Sequence, residues 1–308
     1  MEKIKLENGA LSAVIDLAHG ANCIGLRDER YGARILREPP ADGVLDNPYL
    51  YGMPILFPVN RIENGRFTFE GREYVFPINE PNTGCHLHGF LHETPFEPIE
   101  IQKNKLCCRY TATEAHPYLS FPHSFEIVME YELKDGAFFH TVSVTNLSGQ
   151  NMPLMLGFHT TFNTAFAGGC AEDIRVFADI SEEYERNLAV NYLPTGNKPP
   201  FDCVSRAIAE GTYKPFDGPT SRHYRGKGEM TVTDEGKHLR LVYENDEKYT
   251  FRLIFNGGEE GYICLEPQNC LANCANSPFS REEAGFDFLR VGETKIFHSK
   301  ICIEEIAL

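Results

Sequence analysis

Apolar and polar residues alternate with a period of two over most of the chain. In FEIVMEYEL, Phe125, Ile127, Met129, Tyr131 and Leu133 share one face. After Lys134-Asp135-Gly136 the alternation returns through Phe138, His140, Val142 and Val144. Period two is the signature of a strand, and two such runs either side of Asp-Gly predict a hairpin. RFTFEGREYVF repeats the device, with Phe67 and Phe69 before Glu70-Gly71 and Tyr74 and Phe76 after it. Strands are likewise predicted in KIKLEN, ALSAVIDL, NCIGLRD and ARILRE before residue 38, and then in KLCCRYTAT and PLMLGFHTTFN. EMTVTDEGKHLRLVYE reads as a further hairpin, and YTFRLIFN, GYICLEP and TKIFHSKICIEEI as the closing strands. Residues 38–60 are rich in Pro, Gly and Asp and predict a loop. Between 170 and 228 the pattern is weak: SEEYERNL predicts a short helix capped by Ser181, and the remainder reads as loop. SREEAGFDFL carries a capping box, Ser280 to Glu283, on one helical turn. With no long run of helical period, no linker and no internal repeat, the expectation is all-β: a single large antiparallel β-sandwich over residues 1–308.

Charge narrows the partners. Lys+Arg 29 against Asp+Glu 44 gives −15, a surface that repels phosphate backbones and anionic lipid, so neither nucleic acid nor membrane is an expected partner. MEKIKLENGALSAVIDL lacks the apolar run of a signal peptide, and no later segment could span a bilayer as a helix. Ten Cys without a regular spacing predict reduced, buried thiols, and with them a cytoplasmic protein. Phosphate-cradling, nucleophile-elbow and dinucleotide signatures are absent from the sequence, so no cofactor is expected. The sequence leaves a homodimer open.

Three places could carry chemistry. The hairpin between Asn60 and Gly89 would hold Asn60-Arg61 and His86/His88 at the mouth of one cleft. Arg61 offers a planar fork of donors, although an Arg near Glu63 is often surface. His159, in LGFHTTFN, shares a strand face with Met155 and Gly157, and a mid-strand Gly often marks close approach by a ligand. The bland alternative is a hydrogen-bonded sheet histidine. Glu266 ends GYICLEP on the face of Tyr262 and Cys264, a lone carboxylate in semi-apolar company, which raises its pKa towards that of a general base. The alternative there is an exposed strand end before Pro267. His86 and His88, with Cys85, Cys264, Cys270 and Cys274, raise the question of zinc, but their spacings fit no common zinc pattern and no metal is expected. His140 reads as core.

NRI, G-x-F-x-F-x-G-x-x-Y, LHGF, LGFHTTFN and LEPQN occur in that order, and the set resembles the aldose 1-epimerase (galactose mutarotase) family. Leu289-Arg290-Val291-Gly292-Glu293 adds a late echo, with Val where the family has Pro. The resemblance implies a galactose mutarotase-type sandwich that interconverts the α and β anomers of an aldose such as galactose or glucose without a cofactor. It implies Glu266 as base and His159 as acid, with Arg61 and His88 holding the sugar and Asn60 and Asp217 binding its hydroxyls. Asp217 departs from the family pattern because Gly218 follows at once, and the family's Gln in the strand before the Glu is missing. Reference pKa values of roughly 4.3 and 6.5 predict an ionised Glu and a usefully protonated His near neutrality. Lys214, Arg222 and Arg225, which flank Asp217, read as solvated loop charges, so the expected substrate is a neutral aldose. The rivals are a hexose-phosphate epimerase, a glycosidase with Asp217 as second carboxylate, and a non-catalytic sugar binder.

Overall fold

The computed structural model describes residues 3–41, 43, 45–119, 121–216, 218, 220–257 and 261–307. It is built mainly of antiparallel strands, with one sheet of thirteen and another of four. The predicted hairpin forms from Phe125–Lys134 and Ala137–Asn146, paired over ten positions from Phe125–Asn146 to Lys134–Ala137. Phe125, Ile127, Met129, Tyr131 and Leu133 are all buried, so the alternation faces the core as read. Asp135 and Gly136 both take positive φ, the backbone that lets a two-residue turn follow the twist of its strands. The smaller hairpin, Arg66–Phe69 with Arg72–Val75, turns through Glu70 and Gly71 in the same way, and Phe67 stacks on Tyr74 across it at 4.5 Å. His140 lies flat against Tyr131 in the core, and burial lowers its pKa to about 3.

From the hairpin the large sheet runs through Thr294–Glu305 and Leu239–Asn245 to the fourteen-residue strand Ser221–Asp234. That strand serves both halves of the sheet. Residues 229–234 pair with Leu239–Asn245, whereas residues 221–225 pair with Phe251–Phe255, which leads on to Tyr262–Gln268. Between the two stretches lie Gly226 and Gly228, where the pairing with Ile174–Tyr184 shifts register. A Cβ on Gly226 would lie 2.7 Å from the Asp179 carbonyl oxygen, so only glycine fits.

Four expectations need correction. SEEYERNL is not a helix: Ile174–Tyr184 is an eleven-residue strand along Ser221–Asp234, and Ser181 sits within it. The inward alternation of Ile174, Val176, Ala178 and Ile180 outweighs the weak helix preference of the glutamates. The helix of this region is instead Cys203–Glu210, opened by Asp202, which accepts from the Ser205 amide at 2.9 Å, and closed by Gly211 in the left-handed region. PLMLGFHTTFN is broken into Met152–Leu154, Gly157–Phe158 and Thr161–Asn163. Around Ser280 the amide of Glu283 donates to the serine hydroxyl as in a capping box, but the segment is a turn. All ten cysteines are free thiols; seven are buried, while Cys170 and Cys203 are exposed. Among the described residues no helix is long and apolar enough to cross a membrane.

Candidate active site

Tyr262–Gln268 is buried at every position, and Glu266 lies near its end, only 1 % exposed. Opposite it on Phe251–Phe255 is Leu253, and opposite Leu253 on the long strand is His223. Glu266 and Leu253 line a cavity of about 250 Å³ together with Tyr49, Arg61, His88, His159, Arg186 and Phe255, and His223 is buried outside it. A larger hollow, about 540 Å³, lies beside Lys3 and Arg27, but Arg27 there is half exposed and spent on Glu38. Chemistry, not size, singles out the smaller one.

His159 emerges between two short strands, so its ring faces Glu266 across the cavity floor. Its Nε2 stands 3.2 Å from Glu266 Oε1, off the line of a hydrogen bond, and neither Oε1 nor His159 Nδ1 has another partner among the described residues. The other carboxyl oxygen accepts from Gln268 Nε2 at 3.0 Å, and Gln268 Oε1 in turn accepts from Asn60 Nδ2 at 3.2 Å. Gln268 fixes the rotation of the carboxyl group and leaves Oε1 free to react. Gly157 is not kept small for a ligand: a Cβ there would meet Val59 at 2.7 Å and the Pro267 carbonyl at 3.0 Å.

Burial sets the protonation. It pushes the Glu266 pKa up to about 8, against smaller lowering effects of Gln268, Arg186 and Arg61, and pulls His159 down to about 3. Near neutrality the empty pair therefore holds one proton, on the carboxyl. This reverses the expectation of an ionised Glu beside a protonated His, because burial strips both groups of most of the solvation that would support a charge.

His88 and Asn60 both adopt positive φ, where the paired strands Arg61–Glu63 and Cys85–Leu87 meet the cavity. The Asn60 backbone N–H donates to His88 Nδ1 at 3.2 Å, so the His88 proton sits on Nε2. Burial, with His159 and Arg61 adding, holds its pKa well below the usual range, which makes His88 a neutral donor. His86 does not converge with it. Its ring packs on Phe76, with Nδ1 2.7 Å from the Pro77 carbonyl. Among the described residues no group of three or more His, Cys, Asp or Glu is arranged to hold a metal.

Arg61 is in the cavity, but two of its donors grip Glu80, both at 2.6 Å, and its guanidinium lies 4.5 Å from the Tyr192 ring. Asn60 also lines the cavity, with its amide engaged by Gln268 and its oxygen by the Arg61 amide. Its place is one of positioning more than of contact with a ligand. Asp217 lies outside the described residues. Lys214, Arg222 and Arg225 do not line the cavity: Arg222 is paired with Glu183 and Asp202, and Arg225 with Glu182.

Tyr49, Glu80, Arg186 and Gln268 join the site without having been expected from the sequence. Tyr49 packs against His88 at 4.8 Å and, inclined by 29°, against His159 at 6.0 Å, giving the cavity an aromatic wall. Gln268 was within reach, since period two from Glu266 puts it on the same face. Nothing local marks Tyr49, Glu80 or Arg186.

Residues 2–300 match the family model described as aldose 1-epimerase. The chain belongs to the aldose 1-epimerase family. It is 24% identical to rat galactose mutarotase over 261 residues, which cover 82% of this chain and 67% of the rat protein. To mouse galactose mutarotase it is 25% identical over 207 residues, and there it spans 57% of the relative's length. Among solved structures, a galactose mutarotase-like protein from Clostridium acetobutylicum superposes with a TM-score of 0.91 at 29% identity, covering 99% of this chain and 95% of that one. A putative aldose 1-epimerase from Escherichia coli superposes at 0.82 and 18% identity, covering 99% of both chains, and shows the shared fold. Membership gives the isomerase class. In this epimerase-family chain the LHGF, LGFHTTFN and LEPQN segments, far apart in sequence, meet at one cavity as His88, His159 and Glu266.

Proposed function

We propose that the protein interconverts the α and β anomers of an aldose by opening and reclosing the pyranose ring at Glu266 and His159. The observation that carries the reading is the pair itself: a buried carboxyl and a buried imidazole 3.2 Å apart, facing a cavity of monosaccharide size. Ring opening needs one proton taken from the C1 hydroxyl and one given to the ring oxygen, and the pair supplies both. Transfer of its proton from carboxyl to imidazole yields the active form, which Arg61 and Arg186 favour because both stabilise the carboxylate. Glu266 then takes the proton from O1 as His159 gives its own to O5. The C1–O5 bond breaks with its electrons going to O5, and the O1 lone pair forms the carbonyl. Rotation about C1–C2 presents the other face, and the same transfers in reverse close the ring. Each positioned transfer is worth about 10²–10⁴-fold. His88 Nε2–H and the remaining Arg61 donors would hold oxygens of the sugar, and Tyr49 would cover the C–H face of the ring.

A glycosidase would need a second carboxyl free to react. Among the described residues lining the cavity the other carboxylate is Glu80, locked onto Arg61. A mere sugar binder has no use for two proton carriers poised against one another. The test is polarimetry on freshly dissolved α-galactose, α-glucose and their 6-phosphates. The protein should speed the approach to anomeric equilibrium for at least one of them well beyond the spontaneous rate. Sugar binding without acceleration would establish the binder instead.

A further inference from the structure

Arg186 is a buried charge whose only part in ring opening is its field at Glu266. It lies two residues beyond Ile174–Tyr184, is 8 % exposed, and lines the cavity. Arg61 is matched by Glu80, Arg222 by Glu183 and Asp202, and Arg225 by Glu182, while wholly buried Arg252 donates to three backbone carbonyls. Arg186 donates to Ser221 Oγ at 2.8 Å and has no carboxylate within ion-pair distance among the described residues. A guanidinium carries five donors, and burying its charge without a counter-ion is costly. Burial accordingly pulls its pKa down to about 10. His223, buried nearby with both ring nitrogens unpartnered, is held neutral by burial and supplies no compensating charge.

The placement is also telling. Ser221, which holds Arg186, lies on the strand beyond Phe251–Phe255, and Glu266 lies on the strand before it. Two strand spacings and an offset of two residues along the strands separate their backbones, roughly 12 Å. A pyranose with O1 and O5 at Glu266 and His159 covers that span only through a substituent on the far side of the ring.

We propose that Arg186 is an anion subsite and that the preferred substrate is a hexuronic acid, its carboxylate paired with the free edge of the guanidinium. The inference rests on the anomerase reading above and names the substrate class of that same site. A carboxylate fits better than a phosphate ester. It matches the planar fork two-to-two and brings one charge to one unmatched cation, whereas a phosphate dianion calls for a second cation and Arg61 is spent on Glu80. The expectation of a neutral aldose read Lys214, Arg222 and Arg225 as solvated loop charges; Arg222 and Arg225 instead lie part-buried on Ser221–Asp234, paired with Glu183, Asp202 and Glu182, and Arg186 changes the balance.

The experiment compares kcat/KM for mutarotation of fresh galacturonate and glucuronate with that of galactose and glucose. The uronates should be preferred by at least about tenfold, about 1.4 kcal/mol. In Arg186→Gln the ratio of uronate to neutral sugar should collapse towards one, and Arg186→Lys should keep part of it. Independently of turnover, galacturonate should raise the melting temperature of the unmodified protein more than galactose at equal concentration. Should Arg186→Gln fail to fold, the ratio and the melting shift of the unmodified protein still decide. Neutral hexoses equal to or better than the uronates, a 6-phosphate better than both, or a ratio unmoved in Arg186→Gln would each overturn the proposal. Acceleration of none of these sugars would sink the anomerase reading and the inference with it, whereas turnover of neutral sugars alone sinks only the inference.

Discussion

Replacing Glu266 with Gln should lower kcat/KM for mutarotation by at least about 10²-fold and make the protein more stable. The amide keeps the shape of the carboxyl and can still accept from Gln268 Nε2, but it cannot take a proton from O1. The gain in stability follows from linkage. The carboxyl ionises from about 4.5 in the unfolded chain and holds its proton up to about 8 in the folded one. Between those values the unfolded state sheds a proton that the folded state keeps, so the parent protein loses stability as pH rises through that window. Gln removes the loss. The advantage of the variant should be negligible near pH 4.5 and reach a few kcal/mol by pH 8. Melting curves at pH 5 and pH 8 with rates on the same samples check both halves. A variant that turns over sugar at the parent rate would remove Glu266 from the chemistry.

His159→Gln should cost about as much activity, 10²–10⁴-fold, because the carboxyl left alone cannot both take a proton from O1 and give one to the ring oxygen. Here no comparable stabilisation at pH 8 is expected: His159 is already neutral there, held down by burial. The two residues act on one proton, so the double variant should be little slower than the worse single variant. Rates for the four proteins, with a sugar-induced melting shift to show that the cavity still binds, make the comparison. Losses that simply multiply would mean that the two groups act separately.

Much of this was legible in the chain. The alternation through Phe125–Lys134 and Ala137–Asn146 needed only period two and an Asp-Gly turn, and it folds as read. Ile174–Tyr184 was hidden because its second half is acidic and resembles an exposed helix; its identity comes from pairing with a strand some fifty residues later. His88, His159 and Glu266 carry motifs and could be found singly. That His159 and Glu266 would stand 3.2 Å apart, and that Glu80 would absorb Arg61, depends on segments the sequence does not bring together. Protonation was the least legible feature. Reference values describe groups in water, and these two lie almost wholly out of it.

The central claim is that one proton shared between Glu266 and His159 opens the ring, and the pH dependence of kcat/KM tests it most directly. That ratio reports the free enzyme, in which the pair keeps its proton from about 3 to about 8. Activity above the spontaneous rate should stay level from pH 5 to pH 7 and then fall, approaching tenfold per unit above about 8, as the last proton leaves. A rate that climbs steadily with pH through 8 would mean that the fully deprotonated pair is the active form, and would contradict the account.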